Sequence, residues 1–240
     1  MDNAKKRELL LGGAEILGIG LDPSEADGLL FYMEKVLEKN KVMNLTAIRD
    51  EERFIYLNLL DCLSVLRVLP ERASVIDVGT GAGLPGMVIA LMRRDTEVTL
   101  MDATAKKLNF LDELIGEMGL SNVTTLCGRA EELSRDTKYR DGFDSAVSRA
   151  VARLPLLMEY SLPFVRKGGV FIAMKGAEAG TELAEAEDLT DKLGSRLSGN
   201  DSFILPGGEE KRSLLIFEKV RDTDKAYPRR NSVLKKLYSK

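Results

Sequence analysis

The sequence predicts an α/β protein: a doubly wound, seven-stranded, mostly parallel sheet whose last strand runs antiparallel, preceded by a helical extension. Three observations carry this. Short β-branched runs alternate with helix-period segments from Ser74 onward, a four-glycine turn joins the first strand to its helix, and the last two strands stand too close for a crossover connection.

Before the sheet the pattern is helical. Asp22 is placed to cap a helix with Pro23 in its first turn and Glu25 at the capping-box position, and Leu29, Leu30, Met33, Val36 and Leu37 form its apolar stripe. A second helix is expected over 50–69, burying Phe54, Leu57, Leu60, Leu63 and Leu66, with a polar connection at 40–46 before it. Strands are expected at 75–78, 97–101, 122–127, 143–148, 169–174, 201–205 and 212–219, and helices between them at 84–93, 104–118, 153–165 and 178–196. Only Pro206, Gly207, Gly208 and a few charged residues separate the last two strands, so they pair as a hairpin. The division this implies is a helical cap at 1–72, a sheet domain at 73–220 and a basic tail at 221–240.

A chain of 240 residues with 44% hydrophobic and 30% charged residues suits one α/β domain with an appendage. No apolar run is long enough to span a membrane, and Gly12, Gly13 and Glu15 interrupt any leader-like segment, so a cytoplasmic location is expected. Cys62 and Cys127 are too few and too far apart for a disulfide framework or a metal knuckle. With a formal charge of -3, nucleic acid would have to bind through a local patch. Residues 178–191 hold six acids and no base, whereas 229–240 hold five bases and no acid, among them Arg229, Arg230, Lys235, Lys236 and Lys240.

The most informative stretch is Val75-Ile76-Asp77-Val78-Gly79-Thr80-Gly81-Ala82-Gly83-Leu84-Pro85-Gly86. Glycines between a strand and a helix let the backbone take positive φ and bring a ligand close to the helix N-terminus. Gly81 to Gly86 also spells the dinucleotide pattern G-x-G-x-x-G. Asp77 argues against a pyrophosphate, because a carboxylate beside the loop suits S-adenosylmethionine, with its sulfonium and amino group. The closing hairpin agrees, giving the Rossmann-like sheet of S-adenosylmethionine-dependent methyltransferases rather than a fully parallel dinucleotide sheet.

Ligands of such sheets bind at the carboxyl ends of the strands, near the point where strand order reverses. Asp102 ends the second strand about 20 residues past the loop, where a carboxylate receives ribose hydroxyls. The third strand is followed by Gly128-Arg129-Ala130-Glu131-Glu132, placed for an adenine edge. The fourth ends in Ser148-Arg149-Ala150-Val151-Ala152-Arg153 and the fifth in Met174-Lys175-Gly176, cations suited to phosphate oxygens or to guanine O6 and N7. Plainer partners for Arg149 are Asp144 or Asp77.

The absences narrow the chemistry. With no histidine, a histidine base or metal ligand is excluded. The fourth strand carries Ser148-Arg149-Ala150-Val151 where adenine-amine methyltransferases place an Asn/Asp-Pro-Pro-aromatic turn, and neither cysteine stands where a pyrimidine nucleophile would. A base whose acceptor nitrogen has a lone pair and no proton remains; guanine N7 fits, as does small-molecule N-methylation.

The run from Asp77 to Gly86, with Ser148-Arg149-Ala150 and Lys175-Gly176 downstream, resembles the RsmG family, also called GidB. Asn44-Leu45-Thr46-Ala47-Ile48, Leu60-Asp61, Ala150-Val151-Ala152-Arg153 and Tyr227-Pro228-Arg229-Arg230 extend the resemblance over nearly the whole chain. It implies a bacterial enzyme that methylates guanine N7 in small-subunit (16S) ribosomal RNA, with S-adenosylmethionine as cofactor, the RNA or the small ribosomal subunit as partner, and no metal or membrane. It further implies cofactor contacts from Gly79, Leu84, Asp102, Ala103, Thr104, Ala130, Glu131 and Arg149, beside Asp77 and Gly81 from the loop itself. Arg149 and Lys175 are then expected at the reacting base, and Arg153, Lys175, Arg229 and Arg230 on the RNA. The chain departs from the family at Asn58, where histidine is common, and at Asn231-Ser232-Val233-Leu234 in the tail. Other readings of the same residues are a small-molecule methyltransferase, a cofactor-sensing or ribosome-associated protein without turnover, and an NAD enzyme.

Overall fold

The computed structural model describes residues 1–238. Its first helix, α1 (Asn3–Ile16), is capped by Asp2 and is not anticipated above, because Gly12 and Gly13 break its apolar pattern. The structure uses Gly13 for close approach: a Cβ there would collide with Leu60. α2 (Pro23–Met43) carries the expected capping box, with Asp22 accepting from the Glu25 N–H and the Glu25 side chain accepting from Asp22, and it ends at Asn44 in the left-handed conformation.

The helix expected over 50–69 is present but irregular. It runs as α3 (Glu51–Phe54), a π segment (Ile55–Leu60), α4 (Asp61–Leu63) and a 3-10 turn (Ser64–Arg67). The wider π turn shifts the helical phase, so Leu57, expected in the core, is only partly buried, while Asn58 is buried.

The sheet elements follow: β1 (Ser74–Val78), α5 (Gly86–Met92), β2 (Glu97–Asp102), α6 (Ala105–Glu117), β3 (Val123–Cys127), the short α7 (Ala130–Leu133) and β4 (Phe143–Arg149). Then come α8 (Leu154–Ser161) with a 3-10 turn (Leu162–Phe164), β5 (Val165–Lys175), α9 (Ala179–Lys192), β6 (Ser195–Ile204), β7 (Lys211–Lys219) and α10 (Asn231–Tyr238). Strand order is β3-β2-β1-β4-β5-β7-β6; β1 to β5 run parallel, and β7 lies antiparallel between β5 and β6. α9 stops short of its expected end because Gly194, at φ 75, turns the chain against the carbonyls of Arg221 and Asp222, where a Cβ would not fit.

From β1 the chain proceeds outward to β2 and β3, then returns to β4 on the other side, so the ends of β1 and β4 flank the reversal point. One face of the sheet shares its core with the N-terminal helices: Leu10, Leu29, Met33, Phe54 and Leu60 pack in one cluster with Val75, Met87 and Leu100. α8 and α9 cover the other face over Phe164, Phe171 and Phe217. The tail folds back along that side, where Arg140 donates to the carbonyls of Thr223, Asp224 and Tyr227. Lys240 lies outside the described residues.

Candidate active site

The loop from β1 to α5 is tied down at several points. The N–H groups of Gly79 and Thr80 donate to Met101 O on β2 at 2.9 and 2.8 Å. Gly79, Gly81 and Gly83 all take positive φ, at 78°, 58° and 99°. Beneath the loop, fully buried Asp77 accepts through Oδ2 from Thr80 Oγ1 at 2.6 Å and from the Gly86 N–H at 2.8 Å, holding both ends of the turn. From α2, the buried Tyr32 hydroxyl donates to Ala82 O at 2.8 Å. Asp102 reaches back from β2, accepting from the Gly81 N–H at 3.1 Å and the Thr104 N–H at 2.8 Å, with Lys107 Nζ 3.5 Å away.

Above this loop lies a cavity of about 470 Å³. Gly79, Gly81, Leu84, Asp102, Ala103, Ala130, Glu131 and Arg149 line it; Asp77 and Thr104 do not, the first being sealed under the loop and the second spending its N–H on Asp102. The wall also includes Leu45, Thr46, Val151 and Tyr160, to which sequence reasoning assigned no contact. Leu45 and Thr46 reach the site because Asn40, a buried polar residue of α2, pairs with both backbone groups of Thr46, at 2.9 and 3.0 Å. That Asn40–Thr46 tie crosses six residues, and the only sequence signal for it was the polar run itself.

A second cavity of about 520 Å³ adjoins the first through Arg149, Ala150 and Val151, and is also lined by Asp61, Lys175, Glu182 and Arg212. Here the expected cations are spent internally. Arg149 turns not to Asp144 or Asp77 but to the irregular helix, donating to Leu57 O at 3.0 Å, Asn58 Oδ1 at 2.8 Å and Asp61 Oδ2 at 3.3 Å. Asp61 also receives Arg212 Nε at 3.2 Å. Lys175, only 8% exposed, donates to Ala152 O and pairs with Glu182, both at 2.7 Å. Arg153 pairs with Glu178 and Glu185 on the acidic helix. Arg229 is clamped to Glu159, which is fully buried, and Tyr238 joins them. Arg230 is exposed, with no ion pair among the described residues.

Among the described residues no three His, Cys, Asp or Glu side chains come together as a metal site, and no helix is long and apolar enough to cross a membrane.

The family model for rRNA small subunit methyltransferase G, GidB, matches residues 26–210. The chain belongs to the GidB family. Among GidB relatives, the ribosomal RNA small subunit methyltransferase G of Clostridium botulinum is 37% identical over 230 residues, covering 95% of this chain and 96% of that protein. That of Acetivibrio thermocellus is 39% identical over 228 residues, covering 95% and 94%. The fold is also that of Thermus thermophilus TrmN, with a TM-score of 0.54 at 18% identity, covering 75% of this chain and 53% of that one. M. jannaschii TYW2 in complex with AdoMet gives a TM-score of 0.53 at 17% identity, covering 68% of this chain and 76% of that one.

S-adenosylmethionine is the cofactor, and this GidB cavity fits it. Gly81 leaves room that a side chain would fill, and the acids at the strand ends match hydroxyl and amine donors where a pyrophosphate would be repelled. Glu131 Oε1 is buried at the cavity with no hydrogen-bond partner among the described residues, an acceptor for such a donor.

Two predictions arise from the loop. Tyr32→Phe leaves the Ala82 carbonyl unpaired beneath the glycines, and S-adenosylhomocysteine should bind about 5- to 10-fold more weakly by calorimetry, the loss of about one buried hydrogen bond. Burial, outweighing its hydrogen bonds, pushes the Asp77 carboxyl from 3.8 up to about 6. The folded state therefore holds that proton more tightly than the unfolded chain does. The stability Asp77 contributes is fully present below about pH 4 and is lost as pH rises through about 6. Urea unfolding of wild type minus Asp77→Asn should show the difference shrinking across that window and level above it; a difference growing with pH contradicts the assignment.

Proposed function

We propose that this GidB protein transfers the methyl group of S-adenosylmethionine to N7 of a guanine in small-subunit ribosomal RNA. The observation that carries the reading is the meeting of two cavities at Arg149, Ala150 and Val151, with every titratable side chain around the second already paired. Such a junction holds no uncommitted general base. It suits an acceptor that needs none, and guanine N7 attacks with a lone pair and loses no proton.

Gly79, Gly81 and Leu84 would hold the cofactor along the loop, with Asp102, Ala103, Ala130 and Glu131 available to its adenosine. When bound, S-adenosylmethionine supplies an electrophilic methyl carbon. The protein's part is to hold donor and acceptor in line and to keep water out, which is catalysis by proximity. On the RNA side, Arg230 and Lys236 are exposed cations of the C-terminal tail, whereas Arg229 and Arg153 serve internal pairs.

The test uses labelled S-adenosylmethionine and small ribosomal subunits from a strain lacking the gene, with naked small-subunit RNA in parallel. Label should enter the RNA, and borohydride reduction followed by aniline should cleave it at one guanine. Absence of label in both substrates overturns the reading; label without aniline cleavage overturns the N7 assignment.

A further inference from the structure

Residues 149–151 form the wall that the two cavities share, and the segment 150–154 that continues from it is held in an unusual shape. Ala150 has φ 56, a left-handed conformation that residues with a Cβ rarely adopt and keep only when their surroundings impose it. Next to it, Val151 lies against Gly79, where a Cβ on the glycine would strike its methyl groups; Val151 lines both cavities. What imposes the shape is visible on the far side of the segment. Lys175 Nζ donates to Ala152 O at 2.7 Å, and Glu182 Oε2 accepts the Leu154 N–H at 2.6 Å while pairing with Lys175 at 2.7 Å. One ion pair, reaching from β5 to α9, thus grips the segment at two backbone groups. A lysine with its ammonium so engaged has little left for a phosphate.

We propose that Lys175 and Glu182 are positioning residues for methyl transfer, bracing segment 150–154 so that Ala150 stays left-handed and Val151 stays against the glycine loop. The acceptor side of this inference rests on the methyltransferase reading above; the cofactor side does not.

The test pairs Lys175→Met with Ala150→Gly, since glycine takes φ 56 without a brace. Lys175→Met should weaken S-adenosylhomocysteine binding, measured by calorimetry without RNA, by on the order of 10-fold, and lower kcat on small subunits by on the order of 100-fold, the scale of a small misplacement near reacting atoms. KM for subunits and its salt dependence should stay as in wild type. Adding Ala150→Gly should recover most of the lost cofactor affinity and rate. No recovery overturns the proposal. So does a raised KM whose salt slope falls by about one, the signature of a lost phosphate contact. Should Lys175→Met fail to fold, Glu182→Gln, which keeps size and removes the charge, carries the same comparison. If wild type methylates no RNA, the functional reading fails while the calorimetric comparison still decides this one.

Discussion

Replacing Gly81 with valine is expected to weaken S-adenosylhomocysteine binding about 100-fold or more, some 2.7 kcal/mol or above, with the fold intact. Gly81 sits at φ 58 and lines the first cavity. A Cβ built there comes no nearer than 3.9 Å to Gly79 O, so nothing in the protein opposes the side chain; what it fills is ligand space. The left-handed backbone adds about 1–3 kcal/mol of strain for a β-branched residue, tolerable for a domain of ordinary stability. Its neighbours behave differently. A Cβ at Gly83 would meet Met87, Leu111 and the Tyr32 hydroxyl, and one at Gly86 would meet Leu100 and Asp77, so valine at either position should unfold the loop and with it the core. Calorimetry beside a thermal melt monitored by circular dichroism separates the two classes. Wild-type affinity in Gly81→Val would refute the loop as the cofactor cradle.

Arg149→Ala should cost about 3–5 kcal/mol of stability and with it the activity, because it breaks a buried charged network from one side. The guanidinium is 18% exposed and Asp61 6%, so water screens the pair little. Its removal strands the Asn58 side chain and the Leu57 carbonyl, and leaves Asp61 with Arg212 alone. The same contacts fasten the N-terminal helices to the end of β4, directly before the strained Ala150. Arg149→Lys retains the charge but only part of the fork, and should recover about half of the loss. Urea denaturation of the three proteins checks this; a loss under about 1 kcal/mol for the alanine variant would show that the network is dispensable.

The strand and helix pattern was legible because it is local. β-branched runs, turn glycines and the Asp22 capping box declare themselves within a few residues, and five of the seven strands lie within one residue of their expected ends, whereas β5 and β6 begin about four and six residues early. The glycine loop was legible for the same reason, since positive φ at Gly79, Gly81 and Gly83 is a demand made by the turn itself. α1 and the π segment escaped because their sequences lack a clean period; what stabilises them is packing, such as Leu60 against Gly13.

The partners of the charged groups were not legible for the opposite reason. Arg149 meets Asp61 across 88 residues, Arg212 meets the same carboxylate across 151, and Arg229 meets Glu159 across 70. A cation at a strand end looks like a substrate contact when its partner is that far away in sequence. Asp77, read from the sequence as a cofactor contact, is buried and fastens both ends of the loop through Oδ2.

The sequence by itself determined the sheet and the nucleotide loop, which depend on local backbone preference and hydrophobic period, and it pointed to the family through the resemblance of its motifs. Only the tertiary structure decided which side chains line the cavities. Burying a charge is costly unless it is paired, so each arginine and lysine near the site went to whichever acid the fold brought within reach, and what remained open was the cavity.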